Sequence, residues 1–196
     1  MDPRLNRCSL VDVDTRRLSL RRLAPDDLDG LAAILADPHV WQFEYGRGLT
    51  RAESEAFLDR QLRLWADYDF GGCGVREAGR PELIGVVGLG VPEVPLQHLV
   101  PPVTVGWRLS PSAWGKGYAT EAATALLHQA FTTMGLDRVG CVTHRDNLRS
   151  AAVAERLGMS FLAHADVPAA DGNGRVEVAL FQITRDEFSS NAKNRR

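Results

Sequence analysis

The stretch Pro111-Ser112-Ala113-Trp114-Gly115-Lys116-Gly117-Tyr118-Ala119-Thr120-Glu121 is a glycine-rich turn set between two segments of different periodicity. Upstream, Val103-Thr104-Val105-Gly106-Trp107-Arg108-Leu109 alternates and is β-branched enough for a strand. Downstream, Ala119, Ala122, Ala123, Leu126, Leu127, Ala130 and Phe131 recur at helical spacing. The turn therefore empties into a helix N-terminus. Backbone N–H groups without intrahelical partners, reinforced by the helix dipole, form a concavity there that favours an anion, most often phosphate. Gly115 and Gly117 either let a ligand approach this backbone closely or only shape a tight strand-to-helix connection.

A second motif lies downstream. After the apolar run Arg138-Val139-Gly140-Cys141-Val142-Thr143-His144 comes Asp146-Asn147-Leu148-Arg149-Ser150-Ala151-Ala152-Val153-Ala154-Glu155-Arg156-Leu157-Gly158-Met159. It reads as strand, cap, helix and stop. Asn147 is placed to N-cap, Val153 and Leu157 supply an apolar stripe, and Gly158 stands where a helix end takes a left-handed residue.

In this order and spacing the two motifs resemble the GNAT superfamily of acyl-CoA-dependent N-acetyltransferases. The family's phosphate loop, Gln/Arg-x-x-Gly-x-Gly/Ala, maps onto Trp114 to Ala119, with Trp114 departing from the first position. Trp-Gly-Lys-Gly-Tyr-Ala-Thr-Glu followed by Asn-x-x-Ser and Leu-Gly-Met resembles the Rim branch, the ribosomal-protein N-terminal acetyltransferases and their relatives. The likeness spans roughly residues 16 to 188 and is strongest from Val103 to Met159. It implies a single-domain α/β (α+β) fold: a mixed, mostly antiparallel sheet flanked by helices and splayed between the family's fourth and fifth strands, here Val103–Leu109 and Arg138–His144. It also implies acetyl-CoA as co-substrate and a primary amine as acceptor.

Composition agrees with one domain. The chain has 196 residues, enough to bury a core, and no long polar linker. Twenty-three Lys and Arg against 25 Asp and Glu give a net charge of −2, so the overall balance carries no strong nucleic-acid signal and any basic site must be local. Cys8, Cys73 and Cys141 are odd in number without CxxC spacing and read as reduced thiols. No two histidines are spaced as a metal pair, so no metal is expected. The start, Met1 to Arg7, lacks an apolar signal core and no stretch approaches transmembrane length, which makes a cytoplasmic protein the expectation.

The remaining elements follow from pattern. Arg17 to Leu23 alternates as a first strand, and Pro25-Asp26-Asp27 opens a helix carrying Leu28, Leu31, Ile34 and Leu35. Thr50 with Glu53 forms a capping box for a helix carrying Phe57, Leu58, Leu62 and Trp65. Phe70–Glu77 and Leu83–Val91 read as a hairpin, the proline-punctuated segment from Pro92 to Pro102 as a substrate-side loop, and Met159–Ala165 and Arg175–Thr184 as the last strands. Gly106 suits a bulge. Residues 1–15 are expected as an N-terminal extension, 16–188 as the acetyltransferase domain, and 189–196 as a basic, disordered tail. Apolar helix and strand surfaces would allow a homodimer.

The chemistry implied is attack of a neutral amine on the acetyl thioester. Backbone groups of Gly115, Lys116, Gly117, Tyr118, Ala119 and Thr120 beside Trp114 would hold the pyrophosphate, with Lys116 adding charge or remaining solvated. By the resemblance, Trp107 and Leu109 would pair with the pantetheine arm, Asn147 would hydrogen-bond it, and Ser150 would protonate the departing thiolate. Read from the residues alone, Asn147 only caps its helix and Ser150 only satisfies the first turn.

No general base is evident. Thr104 and Val142 stand where some relatives carry a glutamate, and Met159, Ser160 and Phe161 follow Gly158 where many carry a tyrosine acid. Candidates for base or amine contact are Glu44, set among Trp41, Phe43 and Tyr45, and His39, His98 and His144. An α-amine with a pKa near about 8 is already partly neutral, whereas lysine near about 10.4 is not, so a missing base favours an α-amine or another low-pKa amine. Two other classes fit the same motifs: a non-catalytic acyl-CoA-binding module, and an RNA- or ribosome-docked factor that kept the fold and lost the cofactor.

Overall fold

The computed structural model describes residues 10–92, 100–169, 172 and 174–194, with side chains through residue 191. The elements, in chain order, are β1 (Val13–Asp14), β2 (Leu18–Arg22), α1 (Leu28–Leu35), α2 (Arg51–Tyr68), β3 (Gly72–Glu77), β4 (Leu83–Gly90), β5 (Thr104–Leu109), α3 (Tyr118–Thr132), β6 (Arg138–His144), α4 (Leu148–Leu157), β7 (Ser160–Pro168), β8 (Arg175–Thr184) and α5 (Arg185–Asn194). All eight strands join one sheet in the order β1-β2-β3-β4-β5-β6-β8-β7.

Every neighbouring pair is antiparallel except β5 and β6, and that exception makes the site. β4 and β5 stay in register from Gly85↔Leu109 to Gly90↔Thr104. β6 and β8 do so from Arg138↔Thr184 to His144↔Val178. Between these two halves β5 and β6 share a single paired position, Thr104↔Gly140, where the Gly140 N–H donates to the Val103 carbonyl at 3.0 Å. Beyond it the strands part and leave a wedge. Gly106 produces no bulge: it pairs in register with Gly88, and the sheet's irregularities fall at Val75/Arg76 and Phe161/Ala163 instead.

Helices cover both faces. On one face α3 lays Ala122, Ala123, Leu126, Leu127 and Ala130 against Leu20, Val75, Val87 and Val105, all buried. Its alanines let the helix approach the sheet closely. On the other face α1 and α2 bury Leu31, Leu35 and Leu58 against Leu23 and Val86. Past the wedge that face is covered by Val100 and Val167 over Val178 and Leu180. Cys73 and Cys141 are buried free thiols, pushed up to about 12 by desolvation and so unreactive near neutral pH. Cys8 lies outside the described residues.

Local signals account for the ends. Thr50 and Glu53 make the expected reciprocal capping box at α2, and Gly158 ends α4 at φ 86°. Two boundaries differ from the sequence reading. Val13–Asp14, assigned to the N-terminal extension, is a sheet strand paired with Leu20 and Ser19. The segment expected as a disordered tail is helical through Asn194. Its helix starts because Thr184 and Glu187 cap it, with the Glu187 carboxylate accepting from the Thr184 N–H at 2.7 Å, and it docks because Phe188 packs on Phe131 at 5.3 Å between ring centroids.

Candidate active site

The phosphate-type loop is built by backbone conformation. After the 3₁₀ turn Pro111–Ala113, Gly115 and Gly117 take φ values of 73° and 78°, accessible at low cost only to glycine. A Cβ on Gly115 would meet no atom within 4 Å, which leaves open space over the loop. The α3 hydrogen-bond ladder begins with the Glu121 N–H donating to the Gly117 carbonyl at 3.0 Å. The N–H groups just before it are left without helical acceptors.

A clamp holds this loop from the side. Arg17 donates from Nη1 to the Lys116 carbonyl at 2.9 Å, pairs through Nη2 with Glu121 at 2.6 Å, and lies 4.7 Å from the Tyr118 ring centroid. Thr15 Oγ1 donates to Glu121 Oε1 at 2.6 Å. Burial alone would raise the Glu121 carboxyl, but the hydrogen bonds from Thr15 and Arg17 outweigh it and hold the group below its ordinary value. Tyr118 donates its hydroxyl to Glu77 at 2.8 Å.

Behind the loop the wedge opens the polar edge of β5. The Val103 carbonyl faces β6, so by strand alternation the backbone groups of Val105, Trp107 and Leu109 face the same way, with no β6 partner beyond Thr104. The Leu109 carbonyl is taken by Trp114 Nε1 at 2.8 Å, which pins the loop to the strand. Opposite stands the N-terminus of α4. Asn147 accepts the Ser150 N–H at 3.1 Å through Oδ1, a cap that leaves its Nδ2 without a partner among the described residues. The Ser150 hydroxyl is likewise unpartnered among them.

These elements line one cleft of about 1020 Å³. It gathers Trp107, Leu109, Trp114, Gly115, Lys116, Gly117, Tyr118, Ala119, Thr120, Asn147 and Ser150, the whole set singled out from the sequence for cofactor contact. Its charge is one-sided: Arg108, Lys116, Arg149 and Arg156 line it, and no carboxylate does among the described residues. A chain of net charge −2 thus carries a locally cationic cleft. The open glycine loop, the unpaired N–H groups and this lining fit a ligand with phosphates at one end and an extended arm along β5.

The base candidates are dispersed. Glu44 lies behind the cleft wall, its Oε1 3.0 Å from Arg108 Nη1. His39 lines the cleft with Nδ1 2.9 Å from Asp37. His144 stacks on Phe43, centroids 5.3 Å apart, and its Nδ1 accepts the Asp146 N–H at 3.1 Å, so the neutral ring carries its proton on Nε2. His98 lies outside the described residues, as do residues 93–99 of the proline-punctuated loop. Sequence reasoning missed Arg108, Arg149, Arg156, Phe43 and the Arg17 clamp. Arg149, Ala152, Val153 and Arg156 share one helix face at helical spacing, so that signal was readable. Arg108 and Phe43 meet the cleft only through tertiary packing.

A wedge that exposes a strand's polar edge, with a nest of N–H groups at its mouth, defines a binding site for an extended ligand that carries phosphates. The chain belongs to the GNAT acetyltransferase family, whose domain, described as Acetyltransferase (GNAT) domain, matches residues 17–160; its members use acetyl-CoA and act on amines. The chain is similar to the Bacillus subtilis protein described as uncharacterized N-acetyltransferase YoaA, 24% identical over 148 residues, covering 74% of this chain and 81% of the relative. An acetyltransferase structure from Agrobacterium tumefaciens is 28% identical with a TM-score of 0.72, covering 89% of this chain and 95% of that one. RimL, described as a ribosomal alpha-N-protein acetyltransferase, has a TM-score of 0.71 at 18% identity, covering 88% and 93%, a likeness of fold alone. No helix among the described residues is long and apolar enough to cross a membrane.

Proposed function

We propose that the protein transfers an acetyl group from acetyl-CoA to a primary amine by direct attack in a ternary complex, the amine being a protein N-terminal α-amine or a small molecule of similar basicity. The observation that carries this reading is the cleft that unites the glycine loop, the unpaired edge of β5 and the N-terminus of α4 beneath a wholly cationic set of charges.

When bound, acetyl-CoA supplies an activated acetyl thioester and a thiolate leaving group. The N–H groups from Gly115 to Thr120 would hold its phosphates, with Lys116, Arg149 and Arg156 placed to neutralise their charge. The edge groups of Trp107, the Leu109 N–H and the Asn147 Nδ2 would align the arm. The Ser150 hydroxyl would donate a proton at the departing sulfur and recover one from solvent, as the C–N bond forms and the C–S bond breaks. The amine's own proton passes to water: among the described residues no carboxylate lines the cleft, and the Nδ1 atoms of His39 and His144 are already engaged by Asp37 and by the Asp146 N–H. Such a site works best on an amine already partly neutral, which favours an α-amine over lysine. Glu44 serves the acceptor side by orienting Arg108.

The test is calorimetric titration of the purified protein with acetyl-CoA, followed by mass spectrometry of peptide N-termini and small amines. Binding together with acetylation of an α-amine is expected. A folded protein that does not bind acetyl-CoA would overturn the reading.

A further inference from the structure

On the face of the sheet that carries α1 and α2, the wedge has a floor and two walls. Four residues beyond the paired position Thr104↔Gly140, each strand presents a side chain to that face, Arg108 from β5 and His144 from β6. Between Thr104 and Arg108 the floor is Gly106, exposed, where a Cβ would meet no atom within 4 Å. One wall is the stacked pair Phe43 and His144. The other is Arg108 with its guanidinium 3.7 Å from the Trp41 ring centroid.

Arg108 is held but not used up. Its Nη1 donates to Glu44 at 3.0 Å, and its flat face rests on Trp41, which is buried and packed in turn against Tyr45 at 5.3 Å and Phe57 at 6.1 Å. Nε and Nη2 have no hydrogen-bond acceptor among the described residues, although the side chain is only 28% exposed and lines the cleft. A guanidinium fixed by stacking and one ion pair, with a donor edge left open, suits a planar anion such as a carboxylate. The anion it serves is not the phosphate of the cofactor, because the glycine loop and the N-terminus of α4 belong to the opposite face, covered by α3.

We infer that Arg108 reads a carboxylate on the acceptor, so that the preferred substrate is an amine carrying a carboxylate close to the reacting nitrogen. This rests on the acetyl-transfer reading above and narrows it. Such a carboxylate is found on a peptide with an acidic residue near its N-terminus and on a free amino acid. Glu44 and Trp41 act as positioning residues by fixing the fork.

Two matched acceptor pairs test the inference with the full-length enzyme. One pair consists of peptides differing only in Asp or Asn at their second residue; the other is glycine and glycinamide, compared above the pKa of both amines. Wild type is expected to favour the carboxylate member of at least one pair by about tenfold in kcat/KM, mainly through KM, the scale of one charge-assisted hydrogen bond. The pair that shows the preference names the source. Arg108→Gln should reduce that preference to less than about twofold, and Arg108→Lys, which keeps charge without the fork, should retain part of it. Equal kcat/KM within both pairs for wild type overturns the inference while leaving acetyl transfer intact. So does a preference that survives in Arg108→Gln, or an acetyl-CoA Kd that weakens in that variant as much as the acceptor KM rises. A folded wild type that acetylates other amines but neither member of either pair overturns the inference alone, whereas one that acetylates no amine of the wider panel removes the transfer reading as well.

Discussion

Replacing Gly117 by alanine separates the two roles of a left-handed glycine in this fold. Gly117 holds φ 78° and ψ 7° as the N-cap of α3, and an added Cβ would come no closer than 3.5 Å, to Arg17 Nη2. The space exists, so the penalty is conformational. Alanine held in that region costs about 1 kcal/mol relative to glycine, which for a chain of 196 residues lowers Tm by about 2–4 °C. Gly79, at φ 76° in the β3–β4 turn with no atom within 4 Å of an added Cβ, is a control with the same backbone penalty. Gly79→Ala should therefore match the Tm loss. The variants part at the ligand. Where residue 117 relaxes toward negative φ, the N–H groups at the start of α3 no longer converge. Loss of one charge-assisted hydrogen bond, about 1.5–3 kcal/mol, weakens acetyl-CoA binding by about 10- to 150-fold. Thermal melts and calorimetry on both variants measure the two effects. An acetyl-CoA Kd within twofold of the Gly79→Ala value, together with a Tm loss smaller than that of Gly79→Ala and so a relaxed residue 117, would refute the assignment of the phosphates to these N–H groups.

Three further outcomes are expected. Ser150→Ala should lower kcat by about 100-fold, the lower end of the range for a positioned acid, with acetyl-CoA affinity nearly unchanged by calorimetry; an unchanged kcat removes Ser150 from the chemistry. Arg149→Ala should weaken acetyl-CoA by about tenfold at low salt, through the lost charge and its contact 5.0 Å from the Trp114 ring centroid, and titrations in rising salt should narrow the gap to wild type. Glu121→Gln should lower Tm at pH 7 by about 2–4 °C, on the order of 1 kcal/mol for a partly buried pair. Because the folded-state Glu121 carboxyl lies below its ordinary value, its stabilising effect is present above that ordinary value and is lost as pH falls through the folded one. Melts between pH 7 and pH 3 should therefore show wild type losing its advantage over Glu121→Gln on the acid side, and a constant gap across that range would contradict the network.

The sequence by itself determined the local elements whose signals lie within a few residues. The capping box of Thr50 and Glu53, the strand-to-loop-to-helix passage from Val103 to Phe131, and the Asn147 cap closed by Gly158 all formed where pattern placed them, because caps and periodicity depend on neighbours along the chain. The residues proposed for cofactor contact line one cleft for a related reason: Trp114 to Thr120 are contiguous, and Asn147 and Ser150 share one helical turn. Other places depended on contacts that local pattern does not reach. Residues 189–194 look solvated in isolation, yet they continue a helix anchored at Phe188, a contact supplied by α3. Glu44 looked like an acidic contact for an amine, and only packing revealed that its carboxylate holds Arg108, 64 residues away. The wedge itself was implied only by family resemblance, because strand separation is set by how two half-sheets twist apart, each held by its antiparallel partners β4 and β8. That tertiary decision opens the β5 edge and brings Arg108, Phe43 and His144, distant in sequence, to the two walls of one wedge.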